Sequence, residues 1–272
     1  MAVKNKTKTK SKAKKKRSKN ITKPVQPSRL IAAIAAVLMI AILLSVAAAA
    51  KSKRPAADIY DFNKEIAAGI DVSEHNGAID WEKAAIDFDF TFIRVGYRGY
   101  SNGDILEDKY AKDNMKAAEK AGIPFGVYFY SQAATADEAI EEADFVLNKI
   151  KHFDIKLPVI IDFEYATDED GNRTGRLAQA GLSPKENTQI INTFCKRVSQ
   201  KGYQAGVYAS SSVLKNEIIT KELDSQTIIW AADYNNSVTY NIDYDIWQYS
   251  KAGKSDAVSS KYVDLNYWYT KK

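Results

Sequence analysis

The chain has 272 residues and a formal net charge of +5, which allows one large domain plus appendages. That charge is segregated: residues 1–29 hold 12 Lys or Arg and no acid, residues 30–50 hold no charge, and the remainder carries 27 basic against 34 acidic residues, a net of −7. The single cysteine, Cys195, excludes an internal disulfide, and the only histidines, His75 and His152, give little support to a zinc site or a His-activated nucleophile.

The basic tail, residues 1–29, has no aromatic residue for base stacking, so it reads as a solvated cytoplasmic topology signal and not as a nucleic-acid arm. Leu30–Ala50 follows as 21 uncharged residues, about 31 Å long as a helix and sufficient to cross a bilayer core. Two readings fit. One is an uncleaved signal-anchor with residues 51–272 outside the cell membrane by the positive-inside rule. The other is a secretory signal cut near Val46–Ala50. The anchor is favoured because a signal's apolar core usually has about 7–15 residues. Residues 51–66 read as a polar linker and 67–272 as the folded domain.

From there strand and helix patterns alternate. Strands are predicted at Gly69–Val72, Thr91–Arg98, Phe125–Ser131, Pro158–Tyr165, Ala205–Ser210, Thr227–Tyr234, Ile246–Ser250 and Tyr262–Trp268. Helices are predicted at Trp81–Asp87, at Lys109–Ala121 before Gly122, and at Ala136–Lys151, where Ala139, Ala143, Val146, Leu147 and Ile150 share a face. Another is predicted at Pro184–Lys201, with Ser183 as cap, Pro184 in the first turn and Glu186 completing a capping box. Cys195 falls on its apolar stripe with Ile191, Phe194 and Val198 and reads as a small core residue. Eight strands of this kind predict an α/β barrel. Short, turn-rich links between the last three predict an incomplete TIM-like barrel, (β/α)5(β)3.

Polar and aromatic side chains gather at the C-terminal ends of these strands, where barrel active sites form. Asp162 and Glu164 follow the apolar run Pro158–Ile161, and strand alternation points both to one side. Burying two neighbouring carboxyls raises at least one pKa, which suits a glycosidase that needs one protonated and one ionised acid. A plain alternative is a pair of acids neutralised by Lys or Arg. Asp71 and Asp264 end or occupy two other strands. Tyr97, Tyr128, Tyr130, Tyr208, Trp230, Asp233 and Gln248 complete a candidate ring for binding substrate, since aromatic faces stack on sugar CH surfaces. No Gly-x-Ser-x-Gly elbow and no phosphate-cradling loop occurs. Asp168-x-Asp170-Gly-Asn172 starts like a calcium loop but has Gln179 at the last ligand position, and reads as an acidic turn. No cofactor or metal is called for.

Four motifs together resemble the family 25 glycoside hydrolases, the lysozymes (N-acetylmuramidases) of bacteria, fungi and phages. They are Gly69-Ile70-Asp71-Val72-Ser73-Glu74-His75-Asn76-Gly77 with Ile79-Asp80-Trp81; Phe92-Ile93-Arg94-Val95-Gly96-Tyr97; Pro158-Val159-Ile160-Ile161-Asp162-Phe163-Glu164; and Ile246-Trp247-Gln248-Tyr249 with Val263-Asp264-Leu265-Asn266. The resemblance implies the same incomplete barrel. It also implies cleavage of the β-1,4 bond between N-acetylmuramic acid and N-acetylglucosamine in peptidoglycan glycan strands. It makes Glu164 the proton donor, Asp162 its partner carboxylate, and Asp71 and Asp264 supporting acids. Asp162 could act as nucleophile, as base, or as stabiliser of the substrate's own N-acetyl group. The third strand, with Tyr128-Phe129-Tyr130, lacks the histidine common in the family, and Ala166–Leu182 is a long segment beside the cleft. Two other functions fit the same fold: a non-catalytic wall-binding domain, and a hydrolase of another N-acetylated glycan.

Overall fold

A computed structural model describes residues 60–239, 241 and 243–270, all within one unit, Pro55–Lys272. The predicted tail, the anchor at residues 30–50 and most of the linker lie outside the described residues. No helix among the described residues is long and apolar enough to cross a membrane.

Eight strands close a barrel. They are β1 (Ile66–Val72), β2 (Phe90–Arg98), β3 (Phe125–Ser131), β4 (Val159–Phe163), β5 (Ala205–Ser210), β6 (Ile228–Ala232), β7 (Ile246–Gly253) and β8 (Val263–Tyr269). Each neighbouring pair from β1 to β7 is parallel, while β8 runs antiparallel to both β7 and β1 and closes the ring. Helices follow the first five strands: α1 (Trp81–Asp87), α2 (Ala111–Ala121), α3 (Ala136–Ile150), α4 (Gly175–Ala180) with α5 (Pro184–Gln200), and α6 (Ser211–Asn216). Among the described residues no helix connects β6, β7 and β8, so the predicted (β/α)5(β)3 order is the observed one.

Local signals explain the helix ends. Asp80 caps α1 by accepting from Lys83 N (3.0 Å), and Trp81 turns into the core. Gly122 ends α2 in the left-handed conformation at φ 76°. Ser183 and Glu186 form the predicted capping box on α5, with Pro184 in its first turn. Cys195 is buried on the inner face of α5, and burial pushes its thiol up to about 12, so it stays a neutral packing group.

Two cores result. One lies between the sheet and its helices and is aliphatic, from Val95, Val127, Ile161 and Val207 on the strands to Val146, Ile191 and Phe194 on the helices. The other fills the barrel with rings: Phe92 lies 4.7 Å from Trp230 and 5.9 Å from Phe90, which lies 5.6 Å from Trp268. Such width is possible because Gly69 gives way to the Phe90 ring, where a Cβ would come within 2.5 Å. Phe62, from the segment read as linker, packs on Phe90 and Trp268 at 5.7 and 5.6 Å and seals the floor. The linker therefore gives way to barrel packing before Ile66.

Four short elements escaped the sequence pattern: the Ile105–Glu107 strand on the edge of β2, the Ala166–Thr167/Arg173–Thr174 hairpin, and the two helices α4 and α6. The acidic turn is the tip of that hairpin. Asp168 accepts from the backbone N–H groups of Asp170 and Asn172 (3.1 and 2.8 Å), so its carboxylate shapes the turn.

Candidate active site

At the carboxyl ends of the strands the barrel interior changes from rings to polar groups. A cleft of about 600 Å³ opens there, and Asp71, Asp162, Glu164 and Asp264 all line it. Register explains their convergence. Asp71 on β1 and Asp264 on β8 are direct cross-strand partners, and Asp162 on β4 lies between Tyr130 on β3 and Tyr208 on β5. The ladder of β3 with β4 stops at Ser131 and Phe163, two residues short of the predicted strand end. Glu164 is therefore the first residue beyond the strand. Its carbonyl is taken instead by the side chain of Gln132, whose Nε2 donates to Glu164 O (3.0 Å) and to Ser131 O (2.9 Å). Gln132 is fully buried, and its Oε1 accepts from Leu177 N on α4 (3.4 Å). The backbone bearing Glu164 is thus fixed from the adjacent strand.

The acids differ in their partners. Asp71 Oδ2 accepts from Asn266 Nδ2 (2.8 Å) and Gln248 Nε2 (3.0 Å). Those amides are themselves oriented: Tyr208 and Tyr234 hydroxyls donate to Gln248 Oε1 (2.9 and 2.8 Å), and Trp230 Nε1 donates to Asn266 Oδ1 (2.9 Å). Asp162 is 6% exposed and its Oδ1 has no hydrogen-bond partner. Among the described residues no Lys or Arg forms an ion pair with Asp162 or Glu164, so the neutralised-pair alternative loses its premise.

Burial shifts the whole cluster upward. It raises Glu164 to about 7, reinforced by the charge of Asp71 and opposed by Lys251. Burial likewise raises Asp264 to about 8, with Asp71 and Glu164 adding to it, and Asp71 to about 6 against its two amide hydrogen bonds. Asp162 is pushed well above the carboxylate range by burial and by Glu164 and Asp71, and Arg94 opposes the shift. Four such groups cannot all be ionised together near neutrality, so the cleft holds protons at the pH where isolated carboxylates have lost them. Burial first, then the acids' charge, also raises Tyr128 and Tyr208, which stay hydrogen-bond donors.

The strand-end aromatics predicted to bind substrate reach the cleft: Tyr97, Tyr128, Tyr130, Tyr208 and Trp230 line it, as does Gln248. Tyr97 does so through a bulge. The pairing of β2 with β3 slips between Arg94 and Gly96, so Arg94 and Tyr97, three residues apart, both line the cleft. Trp230 is only 1% exposed and forms its floor. Asp233 is not in the lining. Its carboxylate accepts from Asn235 Nδ2 (2.6 Å), Thr239 N (2.9 Å) and Thr239 Oγ1 (2.7 Å), which organises the loop after β6. Burial opposes ionisation there, but hydrogen bonds from Thr239 and its neighbours outweigh it and hold the acid low.

Other lining residues fall outside that predicted ring. Arg94 brings a cation among the acids, bonded through Nε to Asp108 (2.9 Å) and paired with Glu74 (3.4 Å). A lone Arg inside the apolar run Phe90–Val95 was the available signal. Tyr100 and His75 arrive from the segments after β2 and β1, and Thr167 from the hairpin after β4. His152 is exposed elsewhere.

The sequence profile of glycosyl hydrolases family 25 matches residues 70–258. No curated protein matches the chain. Among solved structures, the modular autolysin LytC from Streptococcus pneumoniae is 29% identical with a TM-score of 0.61, covering 75% of this chain and 47% of that one. The chain thus spans about half the length of that relative. LytC is also solved in complex with a synthetic peptidoglycan ligand, at 28% identity. A family 25 glycosyl hydrolase from Bacillus anthracis (22%, TM-score 0.59, 75% and 89% covered) and a bacterial lysozyme from Streptomyces coelicolor (22%, 0.58, 73% and 90%) share the fold. The chain belongs to glycosyl hydrolases family 25.

Proposed function

We propose that this protein is a peptidoglycan hydrolase that cleaves the β-1,4 bond between N-acetylmuramic acid and N-acetylglucosamine. One observation carries the reading: acids from three strands and a strand end share a single cleft, and the one beyond its strand, Glu164, has its carbonyl held by Gln132 and is pushed to about 7 by burial. LytC, which binds a peptidoglycan ligand, supports the substrate class.

In this mechanism the protonated Glu164 donates to the glycosidic oxygen as the bond from the anomeric carbon breaks, and the departing sugar leaves with a free hydroxyl. The ring left behind gathers positive charge. Ionised members of the Asp71, Asp162 and Asp264 group face that charge in a site of low dielectric. Water then supplies hydroxide to the anomeric carbon, and its remaining proton restores Glu164. Arg94 opposes the upward shift of Asp162, which favours a split into one protonated and one ionised acid. Asp71 is bound by two oriented amides and serves as a fixed acceptor at the cleft wall.

Residues 30–50 hold the enzyme at the bacterial cell membrane with the barrel outside; cleavage near Val46–Ala50 would instead release it. The support is the run of 21 uncharged residues behind 12 cations. The mass of the mature protein separates these outcomes.

The assay is release of reducing ends from purified peptidoglycan by the wild type and by Glu164→Gln. Equal release by both would remove Glu164 from the chemistry.

A further inference from the structure

The loop after β2 devotes much order to one exposed ring. Tyr100 lines the cleft yet is 54% exposed. Exposed loop tips are ordinarily among the most mobile parts of a fold. This one is fixed from several directions. Gly99 N donates to Asp104 O (2.8 Å) and Gly103 N to Gly99 O (3.0 Å), which closes the turn. From beneath, Arg98 Nη1 donates to Gly103 O (2.9 Å), and Arg98 is itself locked to the fully buried Glu142 (2.8 Å).

From the side, Arg176 N donates to the carbonyl of Tyr100 itself (2.9 Å), and the Arg176 guanidinium pairs with Glu138. Gly175, at φ 80°, lets the start of α4 pack closely against the Tyr100 backbone: a Cβ there would come within 2.9 Å of Tyr100 Cβ and 3.1 Å of its carbonyl oxygen. Two βα loops and α3 thus cooperate to hold the backbone beneath a side chain that they do not bury. A ring whose backbone is already immobilised loses little further freedom on meeting a ligand. Its exposed face suits the apolar CH face of a sugar.

We propose that Tyr100 is a fixed stacking platform for a sugar ring outside the cleaved disaccharide, so that the enzyme prefers glycan chains long enough to reach it. The proposal rests on the glycan-cleaving reading and adds a chain-length preference to it. Arg98 and Arg176 are positioning residues for the platform, and Tyr100 is the contact.

The test uses the full chain and length-sorted, peptide-free glycan strands of alternating N-acetylmuramic acid and N-acetylglucosamine, comparing long with short for the wild type, Tyr100→Ala and Tyr100→Phe. Tyr100→Ala should lower kcat/KM on long strands by about fivefold to tenfold, chiefly through KM, and collapse the long-to-short ratio. Tyr100→Phe keeps the ring and should keep the ratio. In a Glu164→Gln background, binding of long strands should weaken by a similar factor when Tyr100 is removed. An unchanged length ratio in Tyr100→Ala, or a ratio lost equally in Tyr100→Phe, overturns the platform. Absence of both cleavage and binding by the wild type overturns the glycan reading, and the platform with it.

Discussion

Glu142 and Glu164 are both buried, and burial lifts each to about 7, yet they occupy opposite situations. Glu142, on α3, gives one oxygen to Ser131 Oγ (2.6 Å) and the other to Arg98 Nε (2.8 Å). Its hydrogen-bonding capacity is spent on neighbours that also hold Gly103, Glu138 and Glu141. Glu164 has its main chain fixed by Gln132, while its side chain faces an open cleft shared with three other acids. A raised pKa alone therefore does not mark the chemical acid. The difference lies in what surrounds the carboxyl: one group is satisfied and stays put, the other has a proton and room for a reacting oxygen.

That comparison breaks most visibly by substitution at the cleft. Glu164→Gln should lower kcat by about 100-fold to 10,000-fold, the range of general-acid catalysis, with melting temperature unchanged or slightly higher. Glu142→Ala should do the reverse. Removing one member of a buried pair costs about 3–5 kcal/mol. At about 2–4 °C per kcal/mol for a domain of this size, melting should fall by roughly 10 °C, while kcat on short glycans changes far less. Comparable losses of activity in both variants, at equal folded fraction, would erase the distinction.

Two weaker perturbations sharpen it. A carboxyl raised on folding binds more protons in the native state than in the unfolded one, so its contribution to stability falls as pH rises from about 4 to its folded pKa. For Asp264 that window ends near 8. Asp264→Asn should therefore gain melting temperature relative to the wild type at pH 8 and show little gain at pH 4, measured by calorimetry across that range. A gain that is the same at both pH values would mean that Asp264 is not strained by its neighbours. Gln132→Leu removes the bond to Glu164 O but leaves the carboxyl in place. It should lower kcat by about tenfold and move the alkaline limb of the pH–rate profile, which a purely structural defect would not move.

Much of this was legible in the sequence because barrel strands announce themselves. Continuous apolar runs such as Pro158–Ile161 read as buried on both faces, and acids that follow or interrupt such runs are visible as exceptions. Asp71, Asp162 and Asp264 were found that way. What stayed hidden came from tertiary placement. Helices α4 and α6 have six residues each, too few for periodicity to register. Arg94 reaches the cleft with Tyr97 only because a bulge shifts the strand's phase. Asp233 looked like another strand-end acid, and nothing local showed that Asn235 and Thr239 claim its oxygens. Nothing in the sequence marks Tyr100, because the groups that hold its backbone, from Arg98 to Arg176, are far apart in the chain.

The most direct measurement is mass spectrometry of peptidoglycan digests made with the wild type, Glu164→Gln and Glu142→Gln at matched folded concentration. Wild type and Glu142→Gln should yield disaccharide fragments ending in reducing N-acetylmuramic acid, and Glu164→Gln should yield almost none. Fragments ending in reducing N-acetylglucosamine, or undiminished release by Glu164→Gln, would contradict the assignment of Glu164 as the acid of a muramidase.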